Sequence, residues 1–225
     1  EKGNEIMFRD DFVWGVASSA YQIEGRDAND GAGAMIWDEF IAEGGTKDGY
    51  GAEVACDHMH RYKDDFALMR LMGIKAYRFS ISWSRVIPEE GKVNPEGLKF
   101  YSDLVDELIA NGIEPLVTIF HWDLPMWVYK KGGWLSEGIV PLFREYTKVV
   151  VEALSDRVKW WMTINEPGCF IMNGYMQGIH APFQRDYLCF PRISRNFMLT
   201  NAAAVKLIRE KAKTPPRVGL SFAAG

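Results

Sequence analysis

The stretch Trp160-Trp161-Met162-Thr163-Ile164-Asn165-Glu166-Pro167 joins an apolar, aromatic run to a carboxyl group that stands directly before a proline. A residue before proline is pushed from the helical region toward extended backbone, so we expect Glu166 to continue this strand and to end it. In a parallel α/β barrel, the loops after the carboxyl ends of the strands converge on one mouth, where active sites lie. Asn-Glu-Pro alone is a weak motif that often forms a surface turn. Its interpretation therefore depends on the rest of the chain.

Runs rich in Val, Ile, Phe or Trp alternate with helical patterns along the chain, which is typical of βα units around a parallel sheet. The five predicted strands are Asp11 to Ala17, Lys75 to Ser80, Glu114 to Phe120, Lys159 to Ile164 and Arg217 to Phe222. Four helices are predicted. The first runs from Asp57 to Met72, and the second has an Asn94 cap, Pro95 at its first position and Gly112 as its stop. The third runs from Pro141 to Leu154, and the fourth from a Ser194 cap to Lys211.

This order of elements predicts the front part of a TIM (β/α)8 barrel, which needs eight strands and about 250 residues. We expect one partial catalytic domain over residues 1–225, with about the first five strands and four helices of the barrel. An open doubly wound sheet is the structural alternative. However, the turn Trp14-Gly15-Val16-Ala17-Ser18-Ser19 after the first strand does not match a Gly-rich phosphate loop.

The composition narrows the class of protein. Of 225 residues, 48% are apolar and 13% aromatic, which is enough for a large core. A net charge of −4, with Lys and Arg scattered among the acids, disfavours a nucleic-acid partner. No apolar stretch is long enough to span a membrane. The opening Glu1-Lys2-Gly3-Asn4-Glu5 has no apolar signal core and favours a cytoplasmic protein, although a leader could have been removed because the chain does not start with Met.

The cysteines and histidines give little sign of disulfide or metal chemistry. Cys56, Cys169 and Cys189 form no CxxC pair and leave an odd count, which suits free thiols in a reducing compartment. His58 and His60 stand two residues apart on a predicted helix, so they would point to different faces. We therefore expect no metal site.

Polar and aromatic side chains follow the predicted strands or lie on them near their ends. They are Gln22 after the first strand, Arg78 on the second, His121 and Trp122 after the third, and Asn165 and Glu166 after the fourth. Such a mixture suits a sugar, whose hydroxyls need several donors and acceptors while its C–H face packs on an aromatic ring. Each residue alone is more often structural. Their shared place at the strand ends favours a sugar site.

The chain carries five segments in a characteristic order: FVWGVASSAYQIEG (12–25), IWD (36–38), RFSISW (78–83), HWDLP (121–125) and TINEP (163–167). Together they resemble glycoside hydrolase family 1, the β-glucosidase family. The resemblance covers almost the whole chain and is far more specific than any single motif. It implies a retaining β-glycosidase in a TIM barrel, acting on a terminal β-linked glucosyl or related residue without metal or cofactor.

The resemblance also implies roles for single residues. Glu166 resembles the general acid/base, and Asn165 resembles the donor to the sugar 2-hydroxyl. Gln22, His121 and Trp122 resemble ligands of the bound glycone. Arg78 resembles the cation that orients the nucleophile carboxylate. Glu24 and Asp123 are the other acids within these motifs, and we expect both to be supporting residues.

The second carboxyl group is missing from the sequence. Retaining hydrolysis needs two carboxyl groups about 5–5.5 Å apart, and the family's nucleophile lies in a Thr-Glu-Asn-Gly type motif that does not occur before Gly225. We therefore expect the chain alone to be inactive. Its expected partners are a β-glycoside and either the complementary C-terminal half of the barrel or a second copy bound through the open edges.

Three other functions remain open at this point. A non-catalytic glycan-binding or receptor-like barrel is disfavoured because Glu166 is retained, and a thioglucosidase is disfavoured because such relatives carry Gln there. A 6-phospho-β-glucosidase is disfavoured by Pro167, since those relatives usually have another residue after Asn-Glu. Five departures from the family pattern leave the surroundings of the site and the leaving-group side open: Met126 for Gln, Ala34 for Lys or Arg, Phe183 for Gly, and Arg195 and Asn201 for His.

Overall fold

A computed structural model describes residues 8–9, 11–26, 30–47 and 49–223, so the opening Glu1 to Glu5, on which the prediction of location rests, lies outside the described residues. The described chain contains one sheet of five parallel strands in the order β1-β2-β3-β4-β5. The strands are β1 (Gly15–Ala17), β2 (Ala76–Ser80), β3 (Glu114–Phe120), β4 (Trp160–Asn165) and β5 (Arg217–Ser221). This sequential order is that of a barrel wall and differs from a doubly wound sheet, in which the order reverses.

Nine α-helices are found in the described ranges. They are α1 (Ala20–Ile23), α2 (Ile36–Ala42), α3 (His58–Leu71), α4 (Trp83–Val86), α5 (Pro95–Ala110), α6 (Met126–Lys130), α7 (Ile139–Leu154), α8 (Pro167–Phe170) and α9 (Phe190–Lys211). Short 3₁₀ turns cover Gly133–Leu135 and Tyr187–Cys189, and a π-helix covers Ile171–Met176. None of the described helices has both the length and the apolar character of a membrane span.

The four long helices α3, α5, α7 and α9 are the four barrel helices that the periodicity predicts. The other five helices were not predicted, because they have seven residues or fewer and one or two turns are too short to display an apolar stripe. The predicted Ser194 cap was wrong, because α9 begins at Phe190 with Pro191 in its first turn. Ser194 lies inside the helix.

The first strand is shorter than predicted, with three residues instead of Asp11 to Ala17. Strand pairing needs a neighbour, and β1 pairs with β2 only from Gly15, which lies opposite Ala76. Before that point, the Trp14 carbonyl accepts from the N–H groups of Lys75 and Ala76, and the chain then turns away. The start of the sheet is thus set by β2.

The core lies between the sheet and the long helices. Outward-facing strand residues such as Tyr77, Val117 and Trp161 are buried there. The inner face of the sheet is open instead, and a cavity of about 740 Å³ lies over it, lined in part by Arg78 and Trp160. The architecture is therefore part of a barrel wall with its helical layer in place and its interior uncovered.

Candidate active site

A second cavity, of about 450 Å³, lies at the carboxyl ends of the strands. Its lining contains five of the six residues that the sequence singles out, together with four others: Gln22, His121, Trp122, Asn165 and Glu166, then Ser19, Tyr21, Trp37 and His180. Arg78 does not line it. It lies in the middle of β2, below the strand ends where the sequence places the polar residues.

Glu166 is the residue at which the chain passes from β4 into helix α8. Its N–H donates to the Ser221 carbonyl of β5 at 2.8 Å, so the backbone still bonds to the sheet. Its φ is +43° and its ψ 60°, and the expected extended conformation was therefore wrong. Because Pro167 opens α8, a single residue must turn the chain from strand to helix, and a left-handed backbone does so. Such strain, of about 1–3 kcal/mol, is typical of functional sites.

Asn165 is hydrogen-bonded to two of the other predicted site residues. Its Oδ1 accepts from Nη1 of Arg78 at 2.9 Å, and its backbone carbonyl accepts from Nε1 of Trp122 at 2.8 Å. The residue is buried, so the amide is held in one orientation. Because Oδ1 is taken by Arg78, Nδ2 is the amide group that can donate to a molecule in the cavity.

His121 and Trp122 leave the end of β3 with a strained backbone. Trp122 has φ +75°, and its carbonyl accepts from Nε1 of Trp37 at 3.1 Å. Burial lowers the pKa of His121 to about 4, and the positive charge of Arg78 acts in the same direction. At neutral pH the imidazole is therefore neutral, so it offers one donor and one acceptor to a hydroxyl-rich ligand.

Gln22 is an exposed residue that the structure nevertheless holds in place. The N–H of Ala20 donates to Oγ of Ser80 at 2.8 Å, which fixes the start of α1 on the end of β2. Ser19 donates from its hydroxyl to Oε1 of Gln22, also at 2.8 Å. The amide Nε2 of Gln22 is consequently the group turned toward an incoming ligand.

The sequence did not single out Tyr21, Trp37 and His180 as site residues. The Tyr21 and Trp37 rings stack at 5.3 Å, and the His180 ring lies 5.7 Å from Trp37 and 5.9 Å from Trp122. Trp37 belongs to the quoted IWD segment, which is a usable signal. His180 follows the π-helix and carries no signal in the sequence, because only the tertiary fold brings that loop to the cavity.

The departures from the family pattern occupy particular places in the structure. The N–H of Met126 donates to the carbonyl of Ala34 at 2.8 Å, so these two departures are neighbours. Phe183 has φ +60°, a conformation that favours glycine, and its ring stacks on Phe40 at 4.1 Å. Asn201 accepts at Oδ1 from the Thr163 hydroxyl at 2.6 Å. None of these four residues lines the cavity at the strand ends.

The remaining titratable candidates are structural. His58 is buried and lies 2.6 Å from an oxygen of Asp65, whereas His60 is exposed and pairs with Asp57, so the two imidazoles do point to different faces. The described residues contain no group of three or more His, Cys, Asp or Glu arranged to hold a metal ion. All three cysteines are unpaired thiols, which are exposed at Cys56, half-buried at Cys169 and buried at Cys189.

Comparison with known proteins agrees with this geometry. The profile of Glycosyl hydrolase family 1 matches residues 4–225. Beta-glucosidase A of Thermotoga maritima is 46% identical over 221 residues, which is 97% of this chain and 49% of that protein. Aryl-phospho-beta-D-glucosidase BglC of Bacillus subtilis is 43% identical over 215 residues, which is 94% of this chain and 45% of that protein.

Among solved structures, the Thermotoga maritima beta-glucosidase in complex with deoxynojirimycin superposes with a TM-score of 0.94 at 45% identity, and the match covers 97% of this chain and 50% of that one. The chain thus spans about half the length of the relatives it matches. The profile covers nearly all of this chain, and the relatives share its fold at high identity. The chain belongs to glycosyl hydrolase family 1.

Proposed function

We propose that residues 1–225 form the N-terminal part of a single catalytic domain. The domain is that of a retaining β-glycosidase, which hydrolyses terminal β-linked glucosyl or related residues. The observation that carries the proposal is the half-buried carboxyl of Glu166 in a cavity whose other walls are amide, imidazole and indole groups. In this proposal Glu166 protonates the leaving-group oxygen and later activates water.

The other five residues divide the binding of the sugar. Gln22 and His121 hold hydroxyl groups, and Trp122 supplies both an aromatic face and an N–H group that already fixes Asn165. The oriented amide of Asn165 donates to the 2-hydroxyl. Arg78 stands below them on β2, where its guanidinium can hold the nucleophile carboxylate ionised.

The nucleophile is expected on a later strand, outside this chain, so the working enzyme in this proposal is a complete barrel. Its complementary C-terminal half would pair with the edges of β1 and β5. A chain that lacks the second carboxylate cannot form a glycosyl-enzyme intermediate.

A second candidate is the hydrolysis of 6-phospho-β-glucosides. It is favoured by the likeness to the aryl-phospho-beta-D-glucosidase of Bacillus subtilis. Pro167 after Asn165-Glu166 argues for the unphosphorylated substrate. Assays of aryl β-glucoside and its 6-phosphate with one complete enzyme would separate the two.

The test of the proposed function is Glu166→Gln in a complete barrel, made by joining residues 1–225 to the C-terminal half of the Thermotoga maritima beta-glucosidase. Hydrolysis of unactivated β-glucosides should fall about 10²- to 10⁴-fold, because the leaving group loses its proton donor. An aryl glucoside with a good leaving group should still glycosylate the enzyme, and azide should restore its turnover.

The matched control is Glu145→Gln, which changes an exposed Glu on α7 whose carboxyl pairs with Lys148. This variant should keep wild-type activity on both substrates. Equal loss on both substrates in Glu166→Gln would show that Glu166 does something other than proton transfer to the leaving group.

A further inference from the structure

Two of the proposed sugar ligands are each followed, two residues later, by a buried acid. Glu24 comes after Gln22, and Asp123 comes after His121. Both acids are almost completely buried, with exposures of 5% and 1%. Neither lines the cavity. Burial of a carboxyl group costs free energy, because the group loses its hydration. Two acids buried at corresponding positions therefore call for a structural explanation.

Glu24 is held by hydrogen bonds and a buried ion pair. It forms the C-cap of α1, the helix that carries Gln22. The Tyr101 hydroxyl lies 2.8 and 3.1 Å from its two oxygens, and Nε of Arg85 lies 3.2 Å from Oε2. The same guanidinium contacts Asp30 through Nη1 at 2.6 Å. Tyr101 and Arg85 thus anchor the end of α1 to α5 and α4.

Asp123 reaches the same cluster from β3. Among the described residues, none donates to its carboxyl oxygens in good hydrogen-bond geometry, although the Ser82 side chain lies close enough to lower its pKa. The N–H of Ser82 donates to the Tyr101 oxygen at 2.8 Å, and Tyr101 bonds to Glu24. Ser82 and Tyr101 are thus hydrogen-bonded in a chain to Glu24, and the buried carboxyl of Asp123 lies near enough for the charge of Glu24 to raise its pKa.

The cluster contains more acid than base. Its buried carboxyl groups are those of Glu24, Asp30 and Asp123, and Arg85 is the cation paired with the first two. Burial raises the pKa of Glu24. Burial, with the charge of Glu24 as a further cause, raises the pKa of Asp123 to about 7. The other titratable groups that face the cluster are the phenols of Tyr101 on α5 and Tyr146 on α7, and the imidazole of His58 on α3.

We infer that Glu24 and Asp123 are positioning residues. Glu24 sets the place of Gln22 through its buried contacts with Tyr101 and Arg85, and Asp123 sets the place of His121 through its buried position just after Trp122. This inference rests on the proposed sugar-binding function of Gln22 and His121. Asp123 acts over the shortest path, because only the strained Trp122 lies between it and His121. Glu24 acts through the short helix α1, whose C-terminal end it ties down.

A double-mutant cycle in the complete barrel tests the inference for Asp123. We expect Asp123→Asn to lower kcat/KM for an aryl β-glucoside about tenfold or more, because small displacements of a ligand-holding group reduce transition-state binding. In a His121→Ala background, which itself lowers kcat and raises KM, the same substitution should cost less than about threefold. The corresponding cycle for Glu24 should give the same result: Glu24→Gln should cost less in a Gln22→Ala background than in wild type. Fully additive losses would overturn the inference.

Thr147→Val is the matched control. Thr147 is a buried polar residue of α7 whose hydroxyl donates to the Phe143 carbonyl within the helix, and it does not line the cavity. Any effect of this variant on kcat/KM should be the same with and without His121→Ala, since it acts only on general stability. Non-additivity here as large as that of Asp123→Asn would count against a specific link.

A second readout does not depend on catalysis. The chain has four histidines, so the ring signal of His121 can be assigned in ¹³C-histidine NMR by its loss in His121→Gln. In wild type this signal should shift with an inflection near pH 7, distinct from the imidazole's own titration near 4. The inflection should vanish in Asp123→Asn and move to lower pH in Glu24→Gln.

The two readouts separate the inference from the proposed function. A complete barrel that cleaves no β-glucoside but shows the inflection and its loss would defeat the function and support the positioning. An active enzyme whose His121 signal is the same in wild type and in Asp123→Asn would support the function and contradict the positioning.

Discussion

At the residue scale, the candidate site is marked by backbone strain next to its polar groups. Trp122 and Glu166 both have positive φ, and neither is glycine, the residue type that adopts this conformation without cost. Each is held by a hydrogen bond: the N–H of Glu166 donates to the carbonyl of Ser221, and the carbonyl of Trp122 accepts from the indole N–H of Trp37. The surrounding contacts therefore determine where the carboxyl and the indole point, at a cost of about 1–3 kcal/mol each.

The buried carboxyl of Asp123 predicts an unusual dependence of stability on pH. Burial raises its pKa in the folded protein to about 7, from the ordinary value of 3.8. The folded state therefore binds the proton more tightly, and this group's contribution to stability is greatest below pH 4 and is lost as pH rises to about 7. Asp123→Asn removes this term, which is worth up to about 4 kcal/mol.

Urea unfolding of the complete barrel at pH 5.5 and pH 8 measures the effect. The stability of Asp123→Asn relative to wild type should be higher at pH 8 than at pH 5.5. A control at Asp106, an exposed acid that contacts Arg157, should show no such increase when changed to Asn. The same relative stability at both pH values would mean that Asp123 does not titrate in this range.

At the element scale, the buried side chain of Asn94 holds the start of α5 in place. Asn94 caps α5 by accepting from the N–H of Glu96 at 3.2 Å. Its Nδ2 also donates to the carbonyls of Asp30 and Arg85, both at 3.0 Å. One side chain thus joins α5, α4 and the loop at Asp30.

Substitution of Asn94 should separate these two tasks. Asn94→Ala should lower the free energy of unfolding by about 2–3 kcal/mol, because it removes the cap and leaves two carbonyls without their donor. Asn94→Ser keeps a capping oxygen and should recover about 1 kcal/mol of that loss. Urea denaturation of the complete barrel gives both values. Equal losses for Ala and Ser would show that the cap contributes nothing measurable.

At the scale of the whole molecule, the described chain is a wall of five strands with two open edges. Exposed rings of Phe8, Phe12 and Trp14 cluster just before β1, with centroids 4.5–4.8 Å apart. Open edges and apolar surface of this kind promote association, whereas a closed barrel has no edges.

We therefore expect residues 1–225 alone to self-associate and to show no β-glucosidase turnover. Mixing with a C-terminal half-barrel should yield compact particles of one copy each and some hydrolysis of an aryl glucoside. Analytical ultracentrifugation and a chromogenic assay measure the two effects. A monomeric chain that unfolds cooperatively and hydrolyses the substrate unaided would contradict both the need for a partner and the place of the nucleophile.

The elements that the sequence predicts well are those with long periodic patterns. The apolar stripe of α5, with Asn94 before it, predicts both the helix and its cap, and five apolar runs predict the five strands in order. Helices of a single turn, such as α1 and α8, have no such stripe. Both helices were missed in the sequence, although α1 carries Gln22 and α8 directly follows Glu166.

By itself, the amino-acid sequence determined the family, the partial barrel and the identity of the candidate acid. Each of them can be recognised within a short stretch of chain: the family by its motifs, the barrel by periodicity and the candidate acid by its place at a strand end. Only the tertiary structure decided the left-handed turn at Glu166, the approach of His180 to the cavity and the buried contacts of Glu24 with Tyr101 and Arg85. The physical reason is distance along the chain. Trp37 bonds to Trp122 across 85 positions and Tyr101 to Glu24 across 77, and contacts between segments so far apart leave no pattern in the sequence around either partner.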